Sequence, residues 1–229
     1  HLPSSIDHGL EQRGAVAVRL SAIEIDEFYR RYSNGVLWPL LHNLPLRAAM
    51  DQSSWNRYRI VNERFAAAVI EQYRPGDVIW VHDYHLIPFA KALRDRGHSN
   101  KIGFFIHIPF PPPEILAALP NHDQLIPALC HYDLVGFQTE VDSANFSRYI
   151  ANECGLPWAS GNSFHFGNRV VQVGTFPVGV ETEAFARLAR RAVETHFVRE
   201  VLESLSGRAM IIGVDRLDYS KGIPERMFA

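Results

Sequence analysis

Apolar and polar positions alternate along this chain in two rhythms, and the rhythms trade places in a regular order. Residues 63–73 (ERFAAAVIEQY) and 86–97 (LIPFAKALRDRG) carry apolar side chains at helical spacing. Between them the compact run 78–82 (VIWVH) follows Pro75, Gly76 and Asp77, a turn signal, and reads as a strand. The run 102–108 (IGFFIHI) is apolar almost throughout, which predicts a parallel strand covered on both faces. Residues 133–137 (DLVGF) make a third short strand, and a helix is predicted over 141–155. Gly167 and Asn168 sit between alternating residues of 163–173, the pattern of a hairpin. Strand, helix, strand, helix predicts an α/β fold with right-handed crossovers and an open, mostly parallel sheet.

Further along, an amphipathic Arg/Glu-rich stretch, 182–206, leads into 210–215 (MIIGVD), again a strand pattern. A second α/β unit is therefore expected to begin near residue 208, with one α/β domain over 1–207 and the start of another over 208–229. Length agrees, since 229 residues accommodate one large domain and the beginning of a next.

Composition narrows the function more by exclusion than by suggestion. Hydrophobic residues make up 47% and charged residues 21%, with 23 Lys+Arg against 25 Asp+Glu. A net charge of −2 gives no bulk attraction to nucleic acid or to an anionic membrane, so neither is expected as a partner. An anionic ligand must be held by a few placed cations. No apolar run approaches the ~20 residues that span a bilayer. The opening HLPSSIDHGLEQRG is polar and unlike a secretory leader, and the cytoplasm is the expected location. Cys130 and Cys154 lie in no metal-ligand or CxxC spacing and read as two reduced thiols.

Candidate chemistry collects where parallel strands end, because ligands bind at the carboxyl edge of such sheets. His82, Asp83, Tyr84 and His85 follow VIWV, and His107 ends IGFFIHI. If those strands are neighbours, their ends lie about 5 Å apart and a carboxylate and an imidazole can share one pocket. The same residue types also cap helices and close turns. His82, Asp83 and His85 invite a metal reading, but no second His/Asp/Glu cluster presents itself as a partner, and no metal is expected. The proline run in IPFPPPE (108–114) makes a stiff loop at the same edge, able to border a pocket or merely turn a corner. Near the end, Arg216 and Lys221 lie on a loop between a predicted strand and a helix with Pro224 in its first turn, a place suited to a diphosphate or simply to two solvated cations. This loop is not a Walker A sequence. Trp38 stands in the turn-rich segment YSNGVLWP, where it can stack on a sugar or anchor a core.

Six segments taken together say more than any one. YSNGVLWPLLH, VIWVHDYHLIPFA, IGFFIHIPFPPPEI, YDLVGFQTE, PVGVE and VDRLDYSKGIPERMFA resemble, in this order, the signature blocks of the trehalose-6-phosphate synthases, from about Glu24 to Ala229. The resemblance implies the GT-B architecture, two Rossmann-like domains facing across a cleft. It implies retaining transfer of glucose from UDP-glucose, a co-substrate, to glucose 6-phosphate, with no cofactor and no metal at the reacting centre. By matching motifs it puts Tyr29 and Trp38 on the glucose 6-phosphate side and Asp83 against sugar hydroxyls. It puts His107 against the transferred glucose, and Arg216 and Lys221 on the donor diphosphate. The family is described as using a front-face route, with Asp83 as a covalent nucleophile the alternative. Homodimers or homotetramers are common in it. The family's opening strand, with an acceptor-phosphate Arg and a Gly-rich loop, would lie before His1, and most of its C-terminal domain would follow Ala229. This chain alone is expected to be inactive. Other acceptors (glycerol 3-phosphate, a cyclitol phosphate), other donor nucleotides (GDP, ADP) and a non-catalytic sugar-phosphate sensor stay open.

Overall fold

The structure, a computed structural model, describes residues 10, 14–49, 51–156 and 161–228; most of the polar opening segment lies outside these. By compactness the chain divides into 1–177 and 178–229.

The first unit is built on a five-stranded sheet in the order β1-β2-β3-β5-β4. The strands are β1 (Val78–His82), β2 (Lys101–Phe105), β3 (Leu134–Phe137), β4 (Ser163–Phe166) and β5 (Arg169–Thr175). β1, β2, β3 and β5 are parallel neighbours, and β4 folds back on β5 as the predicted antiparallel hairpin, with Gly167 at φ 60° in the turn. The α/β, mostly parallel reading therefore holds.

Helices pack on one face of this sheet. The first (α1, 22–41) opens with a capping box in which Ser21 and Glu24 exchange hydrogen bonds. α2 (Gln52–Ile70) starts eleven residues before the predicted helix, because the Asp51 carboxylate accepts from the Ser53 N–H at 3.0 Å and caps its free end. Trp55, Tyr58, Val61 and Ala66 form its buried stripe. The helix predicted over 86–97 is shorter, a 3₁₀ turn Tyr84–Leu86 and then α3 (Phe89–Arg94). Pro88, with no N–H to give, separates the two. α4 (Glu140–Glu153) is capped by Thr139, whose hydroxyl accepts from the Asp142 N–H at 3.2 Å. Ile102, Phe104, Val135, Phe137, Val171 and Val173 point from the sheet into the core under these helices. On the opposite face Val78 and Trp80 of β1 are 73% and 69% exposed, whereas Phe105 of β2 is buried there and the Phe176 ring lies against Gly136 and Gly174.

The second unit holds α5 (Thr182–Ala192) and α6 (His196–Leu205), two helices where the pattern predicts one long amphipathic stretch. The strand predicted over 210–215 does not form. A strand needs a neighbour to take its hydrogen bonds, and none is paired with it among the described residues. A 3₁₀ turn Tyr219–Lys221 and α7 (Ile223–Phe228) follow, with Pro224 in the first turn as predicted.

Candidate functional site

Pairing of β1 with β2 sets His82 opposite Phe105 and brings the segments just beyond both strands together. The Asp83 N–H donates to the Phe105 carbonyl at 2.8 Å. The chain then turns sharply, with Asp83 at φ 73° and ψ 164°, a region that only glycine enters without strain. That backbone aims the carboxylate at two amides. Its Oδ1 accepts from Tyr84 N at 3.1 Å and from His107 N at 3.3 Å. The Asp83 carboxylate and the main chain of His107, 24 residues apart in sequence, are thus joined at the carboxyl edge of the sheet. His107 is exposed and lies edge-on to Phe105, ring centroids 4.8 Å apart.

The turn after Asp83 is gripped from behind. Tyr58 Oη donates to the Tyr84 carbonyl at 2.6 Å, Asn62 Nδ2 to that of His85 at 3.0 Å, and Tyr132 Oη to that of Leu86 at 2.7 Å. Burial raises the Tyr58 and Tyr132 phenols well above the usual tyrosine range, so both hydroxyls keep the protons they donate. Tyr58 and Asn62 are not marked in the sequence, since buried residues inside a helical stripe look like ordinary core, and Tyr132 is marked only as the first residue of the YDLVGFQTE block.

Tyr29 and Trp38 reach the same turn from α1. Through residues Ile25–Leu37 this helix is wound wide, with i→i+5 hydrogen bonds, and it continues as Trp38–Leu41. The Ser33 hydroxyl donates to the Phe28 carbonyl at 2.7 Å, five residues back. Gly35 admits the wide turn, since a Cβ there would lie 3.3 Å from the Arg30 carbonyl oxygen. Nine residues are about two and a half turns of an ordinary α-helix and so face opposite ways. In the wider helix nine residues come close to whole turns, and both aromatics point one way. Tyr29 stacks on His85 (5.4 Å between centroids, 15° between planes), while Trp38 lies 5.9 Å from the Tyr84 ring. Tyr84 Oη also donates to Asn34 Oδ1 at 2.9 Å. The turn-rich reading of 32–39 is therefore corrected: it is helix, and its winding is what brings Tyr29 and Trp38 to one place. His85, which the sequence marks only through the metal reading, packs between Tyr29 and Tyr84. Burial lowers its basicity.

The proline loop is a corner with a clear mechanical role. Buried Asp142 accepts from Phe110 N at 2.8 Å and from the Thr139 hydroxyl at 2.6 Å, and Asn145 Nδ2 donates to the Phe110 carbonyl at 2.9 Å. Phe110 packs edge-on against Phe137 and Phe146. The first turn of α4 thus fixes the loop that follows His107.

Arg216 and Lys221 belong to the second unit, where both are exposed. Asp218 Oδ1 accepts from Ser220 N at 2.8 Å and sets the turn, and Gly222 closes it at φ 59°. Arg226 Nη2 pairs with Asp215 at 2.8 Å. Among the described residues no group of three or more His, Cys, Asp or Glu converges as a metal site would need, and no helix is long and apolar enough to cross a membrane.

The family model for glycosyltransferase family 20 matches residues 3–229. The chain belongs to glycosyltransferase family 20. Within it, the chain is 40% identical over 222 residues to the trehalose-6-phosphate synthase of Sinorhizobium fredii, covering 95% of this chain and 48% of that protein. An alpha,alpha-trehalose-phosphate synthase (UDP-forming) from Burkholderia xenovorans, solved in complex with glucose-6-phosphate, superposes with a TM-score of 0.83 at 44% identity, over 90% of this chain and 46% of that one. An Escherichia coli structure bound with UDP-2-fluoro glucose gives 0.84 at 39% identity, over 91% and 46%. The chain thus spans about half the length of the family 20 relatives it matches, and it shares the fold of the corresponding half.

Proposed function

We propose that this chain is part of a retaining glucosyltransferase that moves glucose from UDP-glucose to glucose 6-phosphate, releasing trehalose 6-phosphate and UDP. The observation that carries the reading is that Asp83 holds the main chain of His107 while Tyr29 and Trp38 pack on His85 and Tyr84, in the turn that directly follows Asp83. Relatives solved with glucose-6-phosphate and with UDP-2-fluoro glucose support the choice of acceptor and donor.

In this reading Tyr29 and Trp38 border the acceptor, and Asp83 takes hydrogen bonds from sugar hydroxyls. His107 contacts the transferred glucose. Arg216 and Lys221 hold the donor diphosphate. That group gains negative charge as the glycosidic bond breaks, so fixed cations stabilise the transition state more than the bound substrate. Asp83 already spends one carboxylate oxygen on two backbone amides, an environment suited to a fixed acceptor more than to an attacking nucleophile. No cofactor or metal takes part, residues 208–229 open the nucleotide-sugar domain, and the enzyme works in the cytoplasm as a homo-oligomer.

UDP release from UDP-glucose by the full-length protein, with and without glucose 6-phosphate, tests this. Acceptor-dependent release is the expected result. Release only with glycerol 3-phosphate or a cyclitol phosphate would move the acceptor assignment, and release only from GDP- or ADP-glucose the donor. Sugar-phosphate binding without any release would make the protein a sensor.

A further inference from the structure

His82 ends β1 beside Asp83, and no role described so far uses it. Its Nδ1 lies 2.9 Å from His107 Nε2, with the two rings 5.2 Å apart and 23° from parallel. The ring of His82 is itself seated against Trp80, at 4.4 Å. The main chain of His107 is held by the Asp83 carboxylate, but its ring has only Phe105 and His82 to orient it among the described residues. Both imidazoles are exposed, so an untethered His107 ring would sample several rotamers and both tautomers.

We propose that His82 is a positioning residue for His107: the imidazole–imidazole hydrogen bond fixes the ring and tautomer of His107 and leaves its Nδ1 as the atom offered to a sugar hydroxyl. This rests on the reading of His107 given under Proposed function. Between two neutral imidazoles one nitrogen must donate and the other accept. Engaging Nε2 of His107 therefore dictates whether Nδ1 carries a hydrogen, and with it whether that nitrogen gives or takes a hydrogen bond. Trp80 and Phe105 close the two outer faces of the pair, so the arrangement runs Trp80, His82, His107, Phe105 along one face of the sheet.

The test uses His82→Ala, His82→Asn, His107→Ala and the double alanine variant of the full-length protein. Asparagine places an amide where Nδ1 of histidine stands, and so can remake the bond. His82→Ala is expected to lower kcat/KM for UDP-glucose by about tenfold to a hundredfold, the scale of losing a group that orients another. KM for glucose 6-phosphate should hold, and His82→Asn should recover most of the loss. In the His107→Ala background the same change should cost less than about twofold, because a positioning group acts only through the group it positions. A full loss on His107→Ala with none on His82→Ala would overturn the proposal. So would an equal factor in both backgrounds, which marks a merely structural role. Long-range ¹H–¹⁵N spectra of histidine-labelled protein decide the question without turnover. One His107 tautomer in the wild type and two in His82→Ala support the tether, whereas two in the wild type overturn it. If the wild type released no UDP from any donor, the function reading alone would fail, and these spectra would still decide the tether.

Discussion

Replacing Asp83 by glycine and by alanine separates its backbone strain from its side-chain bonds. Alanine removes the hydrogen bonds to Tyr84 N and His107 N but keeps a Cβ at φ 73°, ψ 164°. Two partly exposed bonds at about 0.5–1.5 kcal/mol each put Asp83→Ala about 1–3 kcal/mol below the wild type. Glycine loses the same bonds, yet it relieves strain of about 1–3 kcal/mol for a non-glycine residue in this region. Against that stands the extra entropy glycine loses on folding, about 0.5–1 kcal/mol. The expected order is that Asp83→Gly exceeds Asp83→Ala, by up to about 2.5 kcal/mol, although glycine is normally the less stable of the two. Urea unfolding reports this as a higher midpoint for the glycine variant at an unchanged slope. Acceptor-dependent UDP release should be lost in both, since both lack the carboxylate. A glycine variant at or below the alanine variant in stability would refute the strain argument, and full turnover in either would refute a role for the carboxylate in the site.

Asp142→Ala should destabilise the protein by about 2–4 kcal/mol, because it leaves the buried Phe110 N–H and the Thr139 hydroxyl without their acceptor; Asp142→Asn, which keeps one oxygen, should cost less, and thermal melts of the pair check the order. Glu24 is held at about 2, first by its hydrogen bond from Arg64 and then by the Ser21 N–H. A folded-state value below the unfolded one stabilises the protein fully above the unfolded value and loses that contribution as pH falls through the folded one. The melting difference between wild type and Glu24→Gln should therefore be constant near neutrality, shrink below about pH 4.5 and approach zero near pH 2.

The sheet was legible because buried parallel strands leave short apolar runs, and β1, β2 and β3 all begin within one residue of their predicted starts. The adjacency of Asp83 and His107 followed from one crossover length. The wide helix was not legible. Ser33, Asn34 and Gly35 are turn-formers by local preference, and a repeat wider than 3.6 leaves no pattern that a helical template detects. Nor was the start of α2, where the polar run 52–62 hides a stripe of Trp55, Tyr58 and Val61. The apolar run 210–215 shows the opposite error, since strand composition without a pairing neighbour makes no strand.

The clamps behind the site hold main-chain carbonyls, not side chains. Tyr58, Asn62 and Tyr132 reach three successive peptide oxygens, at Tyr84, His85 and Leu86. Those atoms are the same whichever amino acids occupy the three positions. The job of locating the turn is thereby uncoupled from the identity of the groups it displays. Changing the side chains of the turn therefore leaves all three clamps their acceptors.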